Sequence, residues 1–320
     1  MGWQSIPGKD EKMEFKKIAI IGAGAVGSYI FWGLSQKDDI DLSVIASGER
    51  KTRIETEGLL INDKIYMPVV KTPDEAAGAD FVIVAVKYNA LPSAVQDIKE
   101  IVDGHTVVIS LMNGVDSEEV IAAEIGDKHV VPALIKVASE RKQNRVYFDP
   151  ESTIGIVYGE KDGKSTERTR AIERLFEGTG LHYRETDVIL SEIWSKFRLN
   201  VGNNLPQAML GVGVGAYGDS EHVAAIREGL VKELDAIAKA KGIDISLADP
   251  SSTRGSKVFK RARYSTLQDL DAKRHTEIDM FSGALIRMGK QLGIPTPYNE
   301  FTFHMIKALE EKNDGNFEYS

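Results

Sequence analysis

"KIAIIGAGAVGSYIFWGL" (Lys17–Leu34) carries, in order, the three signals that decide the fold. Its first residues, "KIAIIG", are a short β-branched apolar run, which predicts a buried strand. "GAGAVG" (Gly22 to Gly27) follows at once, and apolar residues then recur at helical spacing through Ile30, Phe31 and Leu34. Strand, glycine turn and helix together turn G-x-G-x-x-G from a weak pattern into a dinucleotide-binding signature. Gly22 permits the tight turn and Gly24 lets a pyrophosphate approach the backbone. Gly27 brings helix and strand close, and the helix start at Ala25 and Val26 offers N–H groups to an anion.

Further strands are expected at "DLSVIA" (41–46), "FVIVAV" (81–86) and "TVVISL" (106–111). Such near-continuous apolar strands, alternating with helices, imply a parallel sheet buried on both faces. "TPDEAAGA" between two of them reads as a helix start, with Thr72 as N-cap, Pro73 at the first helical position and Glu75 closing a capping box. From about 130 to 158 the pattern shortens and alternates, which suggests antiparallel strands appended to that sheet. Residues 165–178 read as a helix.

Ligands of such sheets sit beyond the carboxyl ends of the strands. Ser47 lies there, twenty residues past Gly27, where an acidic residue would recognise a free ribose 2′-hydroxyl. Ser47 with Arg50 and Lys51 suits a 2′-phosphate instead and favours NADP(H) over NAD(H), although Glu49 stands among them. Lys87 ends one strand, and Met112, Asn113 and Gly114 follow another. A lysine reaching for solvent and an ordinary Asn-Gly turn explain these equally well when each is taken alone.

The chain has 320 residues, 42% hydrophobic and 28% charged, and its length favours two domains. The formal net charge of −8 argues against nucleic acid or an anionic membrane as partner. No cysteine is present, which excludes disulfides, thiolate metal sites and a cysteine nucleophile. Residues 1–15 read as a polar leader without the apolar core of a secretory signal. No apolar run reaches the ~18–20 residues that span a bilayer, so a cytoplasmic protein is expected.

From Asp187 onward helices dominate. The boundaries drawn are a leader (1–15), a dinucleotide-binding domain (16–186) and an all-α domain (187–320). Thr186 or Asp187 caps a first helix running to about Leu205. "EHVAAIREGLVKELDAIAKAKG" and "TEIDMFSGALIRMGKQLG" give two more, and a last one lies near 299–312. In the first helix, "IWSKFRLNVGNN" sets Lys196, Asn200 and Asn204 four residues apart, so their polar ends share one side. Asparagine is a poor helix-interior residue, and two of them in file with a lysine point to a binding surface. Reduction of a ketone builds negative charge on its oxygen, so Lys196 suits a proton donor and the amides suit a substrate hydroxyl or carboxylate. In "YSTLQDLDAKRHTEID" (264–279) the residues alone favour structural roles. Ser265 with Gln268 and Thr276 with Asp279 make capping boxes, and Glu277 suits a first turn. Of the histidines only His275, beside Glu277, invites attention.

These motifs give the chain a resemblance to the ketopantoate reductase (2-dehydropantoate 2-reductase) family across residues 16–312. It rests on "GAGAVG", on "AVK" ending at Lys87, on "MNG" (112–114), on W-x-K-x-x-x-N-x-x-x-N (194–204) and on S-T-L-x-x-D … R-x-T-E-I-D (265–279). The resemblance implies a Rossmann-like doubly wound α/β domain followed by a helical domain. It also implies NADPH-dependent reduction of 2-dehydropantoate to (R)-pantoate on the route to pantothenate and coenzyme A. By motif position, Lys196 would be the general acid and Glu277 would organise the site and the cofactor. Asn113, Asn200, Asn204 and Ser265 would bind substrate, with Asn113 also at the nicotinamide. Lys87 and the glycine loop would hold the cofactor. Members often carry arginine where this chain has Ser47. A small 2-oxo acid is the partner implied, and a homodimer is left open. Two other readings share the scaffold: a related 2-oxo, opine or 3-hydroxy acid dehydrogenase, and a regulator that binds NADPH without turnover.

Overall fold

A computed structural model describes residues 12–317 except 138, 143–144, 152 and 250–259. Strands β1 (Lys17–Ile21) and β2 (Asp41–Ile45) flank helix α1 (Ala25–Leu34), and α2 (Gly48–Glu57) follows. A small hairpin, β3 (Leu59–Ile61) and β4 (Lys64–Tyr66), precedes β5 (Val69–Lys71). Then come β6 (Phe81–Val84), α3 (Leu91–Ile101), β7 (Val107–Ser110) and α4 (Ser117–Ile125). The central sheet runs β5-β2-β1-β6-β7, all parallel, with Ile18 paired to Leu42 on one side and Phe81 on the other. The chain therefore winds outward from β1 in one direction and then in the other. That reversal leaves a crevice at the carboxyl ends of β1 and β6, where the glycine loop lies. One sheet face packs under α1 with Ile20, Ile30 and Phe81, and the other under α3 and α4 with Val84, Ile98 and Ile121.

The segment after α4 departs from the expected extension of this sheet. Strands β8 (Ala133–Lys136), β9 (Ser139–Lys142), β10 (Arg145–Phe148) and β11 (Gly155–Tyr158) split between two small sheets. β9 and β10 join the β3–β4 hairpin, while β11 pairs with β8 on one side and β12 (Tyr183–Glu185) on the other. β7 pairs with the segment through an isolated bridge from Val108 to Val130. Helix α5 (Glu167–Phe176) has a reciprocal cap between Thr166 and Thr169. The expected helix at Thr72 is a 3-10 turn over Asp74–Ala76, although Glu75 does accept the Thr72 amide at 2.8 Å.

Of the expected leader, residues 1–11 lie outside the described ones. Its end is not polar packing: the Met13 amide donates to Glu167 at 3.2 Å, and Phe15, 6% exposed, stacks on Phe81 at 4.7 Å.

The helical domain begins with α6 (Ile189–Leu210), followed by α7 (Ala216–Asp219) and α8 (Glu221–Ala240). α9 (Ser265–Asp271), α10 (Ser282–Leu292) and α11 (Pro297–Asn313) complete it. Its core joins Trp194, Phe197, Leu205, Leu234, Phe281 and Leu285. α6 runs past its expected end to Leu210, and Pro206, which lacks an amide donor, is accommodated inside it and buried. The third helix starts at Ser282 rather than near Thr276, so residues 276–281 form an irregular approach to it. Among the described residues no helix is long and apolar enough to cross a membrane.

Phe15→Ala should lower unfolding free energy by about 3–5 kcal/mol, the usual cost of emptying a buried aromatic site. Urea denaturation checks this, and a loss below about 1 kcal/mol would return residues 13–15 to an outer leader.

Candidate active site

The glycine loop is built for close approach. Gly22 has φ +105°, and a Cβ there would lie 2.5 Å from the Ala85 carbonyl oxygen. At Gly27 a Cβ would fall 1.7 Å from the Gly22 carbonyl oxygen, so only glycine lets α1 start where it does. At Gly24, which opens α1, a Cβ would meet nothing within 4 Å. α1 also begins with no capping side chain and no acidic residue in its first turn. Its free amides, reaching into open space past Ala25 and Val26, fit a pyrophosphate.

The residues beyond β2 divide. Ser47 and Arg50 are exposed at the start of α2. Lys51 turns away: its Nζ donates to the Val70 carbonyl at 2.6 Å and pairs with Glu75 and Glu55, each at 3.2 Å. Lys87, 59% exposed, lies 3.5 Å from Asp269, a buried carboxylate of α9 that also takes Arg274 at 2.8 Å.

On α6 the expected file forms, and its three members differ. Lys196 Nζ donates to Asn113 Oδ1 at 3.0 Å and to the Ile135 carbonyl at 2.7 Å. Those acceptors come from the loop after β7 and from β8, so the helical domain's lysine is held by the first domain. Burial pushes the Lys196 ammonium down to about 8, helped by the like charge of Lys136, while Glu277 and Glu118 pull it back up. Asn200 makes no side-chain hydrogen bond among the described residues. Asn204, buried, points its amide at Ser265 Oγ, 3.4 Å away.

Ser265 is the first residue of α9 rather than its cap, and Gln268 reaches back to the Arg263 carbonyl at 2.7 Å. Glu277 accepts the Tyr88 amide at 3.2 Å. Instead of a box with Asp279, Thr276 gives both its amide and its hydroxyl to Glu310 of α11, each at 2.6 Å. His275 pairs with Asp314 at 3.0 Å and Glu310 at 3.5 Å. The described residues contain no cluster of metal-ligating side chains.

The sequence reading gave no role to Glu118, Glu310, Tyr88, Asp116 or Arg287. Glu118, on the first turn of α4, is pushed up to about 7 by burial, and it accepts from Ser117 Oγ at 2.8 Å and from the Ala133 amide. Its only sequence signal was the cluster of acids after "MNG". Glu310 did carry a signal: it falls four residues after buried Ile306 on the apolar face of α11.

Residues 18–160 match the family described as Ketopantoate reductase PanE/ApbA, and residues 188–310 match its C-terminal counterpart. The chain belongs to the ketopantoate reductase family. A 2-dehydropantoate 2-reductase of Mesorhizobium japonicum is 27% identical over 92% of this chain and 97% of its own. Among solved structures, a PanE/ApbA family ketopantoate reductase from Ralstonia eutropha has a TM-score of 0.77 and 26% identity. It covers 93% of this chain and 99% of its own. A D-mandelate dehydrogenase in complex with NADH matches equally well, with TM-score 0.77, 26% identity and 92% and 99% coverage. Ketopantoate reductase family members are oxidoreductases that use NAD(P)H.

Because Lys196 is held below its unfolded value, the unfolded chain binds more protons between about pH 8 and ~10.4. Stability contributed by this site therefore rises with pH across that window. In Lys196→Met the rise should be smaller by on the order of 2–3 kcal/mol. Urea melts at both ends of the window measure it, and equal rises in the two proteins would refute the buried charge.

Proposed function

We propose that this chain reduces 2-dehydropantoate to (R)-pantoate with NADPH, with Lys196 as the general acid. The observation that carries the reading is the half-buried Lys196 ammonium, aimed between Asn113 Oδ1 and the Ile135 carbonyl. When bound, the reduced nicotinamide supplies the hydride that C2 of the oxo acid accepts. The glycine loop and the free amides of α1 hold the pyrophosphate, and Ser47 and Arg50 face the adenosine ribose. Lys196 gives its proton to the ketone oxygen as charge develops there, leaving a 2-hydroxy acid and a neutral amine that solvent reprotonates. Its titration near pH 8 keeps it mostly charged at neutral pH yet makes it a stronger acid than free lysine. Asn200, without a side-chain hydrogen bond among the described residues, offers donor and acceptor to the substrate. Asn204 and Ser265 form a second polar edge for a hydroxyl or carboxylate. Glu277 holds Lys196 in its charged form.

A second reading is reduction of another 2-oxo acid with NADH. The D-mandelate dehydrogenase relative favours it, as does Lys51, whose pairing with Val70 and Glu75 turns it away from the start of α2.

Loss of NADPH absorbance with 2-dehydropantoate and a panel of 2-oxo acids should show the highest kcat/KM for 2-dehydropantoate, falling as pH rises through about 8. Lys196→Ala should reduce kcat by roughly 10²–10⁴, and no turnover of any oxo acid sinks the reading. Arg50→Ala should weaken NADPH several-fold and leave NADH unchanged. Equal effects on the two would remove Arg50 from the phosphate.

A further inference from the structure

Tyr88 stands between the two domains and touches both through different atoms. It directly follows Lys87 at the carboxyl end of β6. Its hydroxyl donates to Asp116 Oδ2 at 2.8 Å and accepts from Arg287 Nη2 at 2.6 Å. Arg287 Nη2 also donates to Asp116 Oδ2 at 2.9 Å, and its guanidinium lies 6.0 Å from the Tyr88 ring centre. Asp116 belongs to the same loop as Asn113, and Arg287 belongs to α10. The Tyr88 amide, meanwhile, donates to Glu277 Oε1 at 3.2 Å.

An exposed arginine–aspartate pair is ordinarily worth little. This one is not placed for surface stability. The Asp116 side chain is 13% exposed, and its Oδ1 is buried with no partner among the described residues. A carboxylate kept in that state is costly unless its other oxygen does specific work. Here that oxygen collects a phenol and a guanidinium and so fixes the backbone at residue 88.

We infer that Tyr88, clamped by Asp116 and Arg287, is a positioning residue that holds the Glu277 carboxylate at the distance from Lys196 that keeps the ammonium charged. The inference rests on Lys196 being the proton donor of the proposed function. The charged groups acting on Lys196 are Lys136 of β8, Glu118 of α4 and Glu277 before α10. Glu277 lies in the helical domain, and its carboxylate accepts the Tyr88 amide of the first domain. It approaches from an irregular segment held otherwise by the Thr276–Glu310 bonds. Releasing Tyr88 therefore weakens one attractive charge and leaves the repulsion from Lys136 in place. The ammonium then loses its proton at lower pH.

Carbon-13 lysine NMR of the whole chain reads the Lys196 midpoint without any substrate, with Lys196→Ala assigning the resonance. Tyr88→Phe, which keeps the ring and the amide, should lower that midpoint by roughly half a pH unit. Arg287→Met should do the same, and Glu277→Gln should lower it at least as far. Tyr88→Phe added to Glu277→Gln should cause no further fall. In Tyr88→Phe the alkaline limb of kcat/KM should move with the midpoint, while the NADPH dissociation constant stays within error. An unmoved midpoint in Tyr88→Phe or in Glu277→Gln, or additive shifts in the double variant, overturns the inference. Failure of the proposed function shows differently: the alkaline limb survives Lys196→Ala, or no oxo acid is turned over.

Discussion

The ammonium of Lys196 is the constraint around which the two domains fit together. A buried cation is tolerated only when its hydrogen-bonding capacity is met and opposite charge stands near. Both acceptors lie in the first domain, Asn113 after β7 and Ile135 in β8, while the lysine belongs to α6 of the second. Neither domain alone supplies a satisfied site. Packing the domains and placing this ammonium are thus one event, and an error in either is felt by the other.

The same logic accounts for the polar bonds that cross between the domains close to this lysine. Lys87 to Asp269, Tyr88 to Glu277 and Arg287 to Asp116 all join the chain beyond β6 and β7 to α9, α10 or the segment between them. They start where the parallel sheet directs its strand ends. Gly114, at φ +98°, lets the loop after β7 lie against Met280, since a Cβ there would sit 2.7 Å from its Cγ. The contact brings Asn113 and the segment of Glu277 to one place without a connecting element.

How much of this the sequence disclosed depended on whether the signal was periodic. Period-two and period-3.6 patterns are local, so the parallel strands, the glycine turn and the file of Lys196, Asn200 and Asn204 were all legible. Capping boxes were less so. Ser265 and Thr276 carry the right spacing, but Asn204 lies at one and Glu310 takes both donors of the other. Local hydrogen-bond options lost to long-range partners, which no short window displays. The strands after α4 failed for a related reason: alternation announces a strand but does not name its neighbour, and β10 found β3 instead of the central sheet. The clamp of Tyr88, Asp116 and Arg287 was invisible because its members are scattered in sequence and each is ordinary alone.

The three members of the α6 file show a gradient in how far the fold has committed them. Lys196 has two strong acceptors and is fixed before any ligand arrives. Asn204 has one long contact, 3.4 Å to Ser265, which a competing hydroxyl can share. Asn200 has none among the described residues. Preorganisation matters most for a charged group, because its position relative to any developing charge enters a barrier directly. Groups that only recognise substrate gain from being unspent, since a hydrogen bond already made must be broken before it can be offered. A helix carrying one satisfied cation and two progressively freer amides has its charge placed by the fold and its remaining hydrogen-bonding capacity concentrated around Asn200.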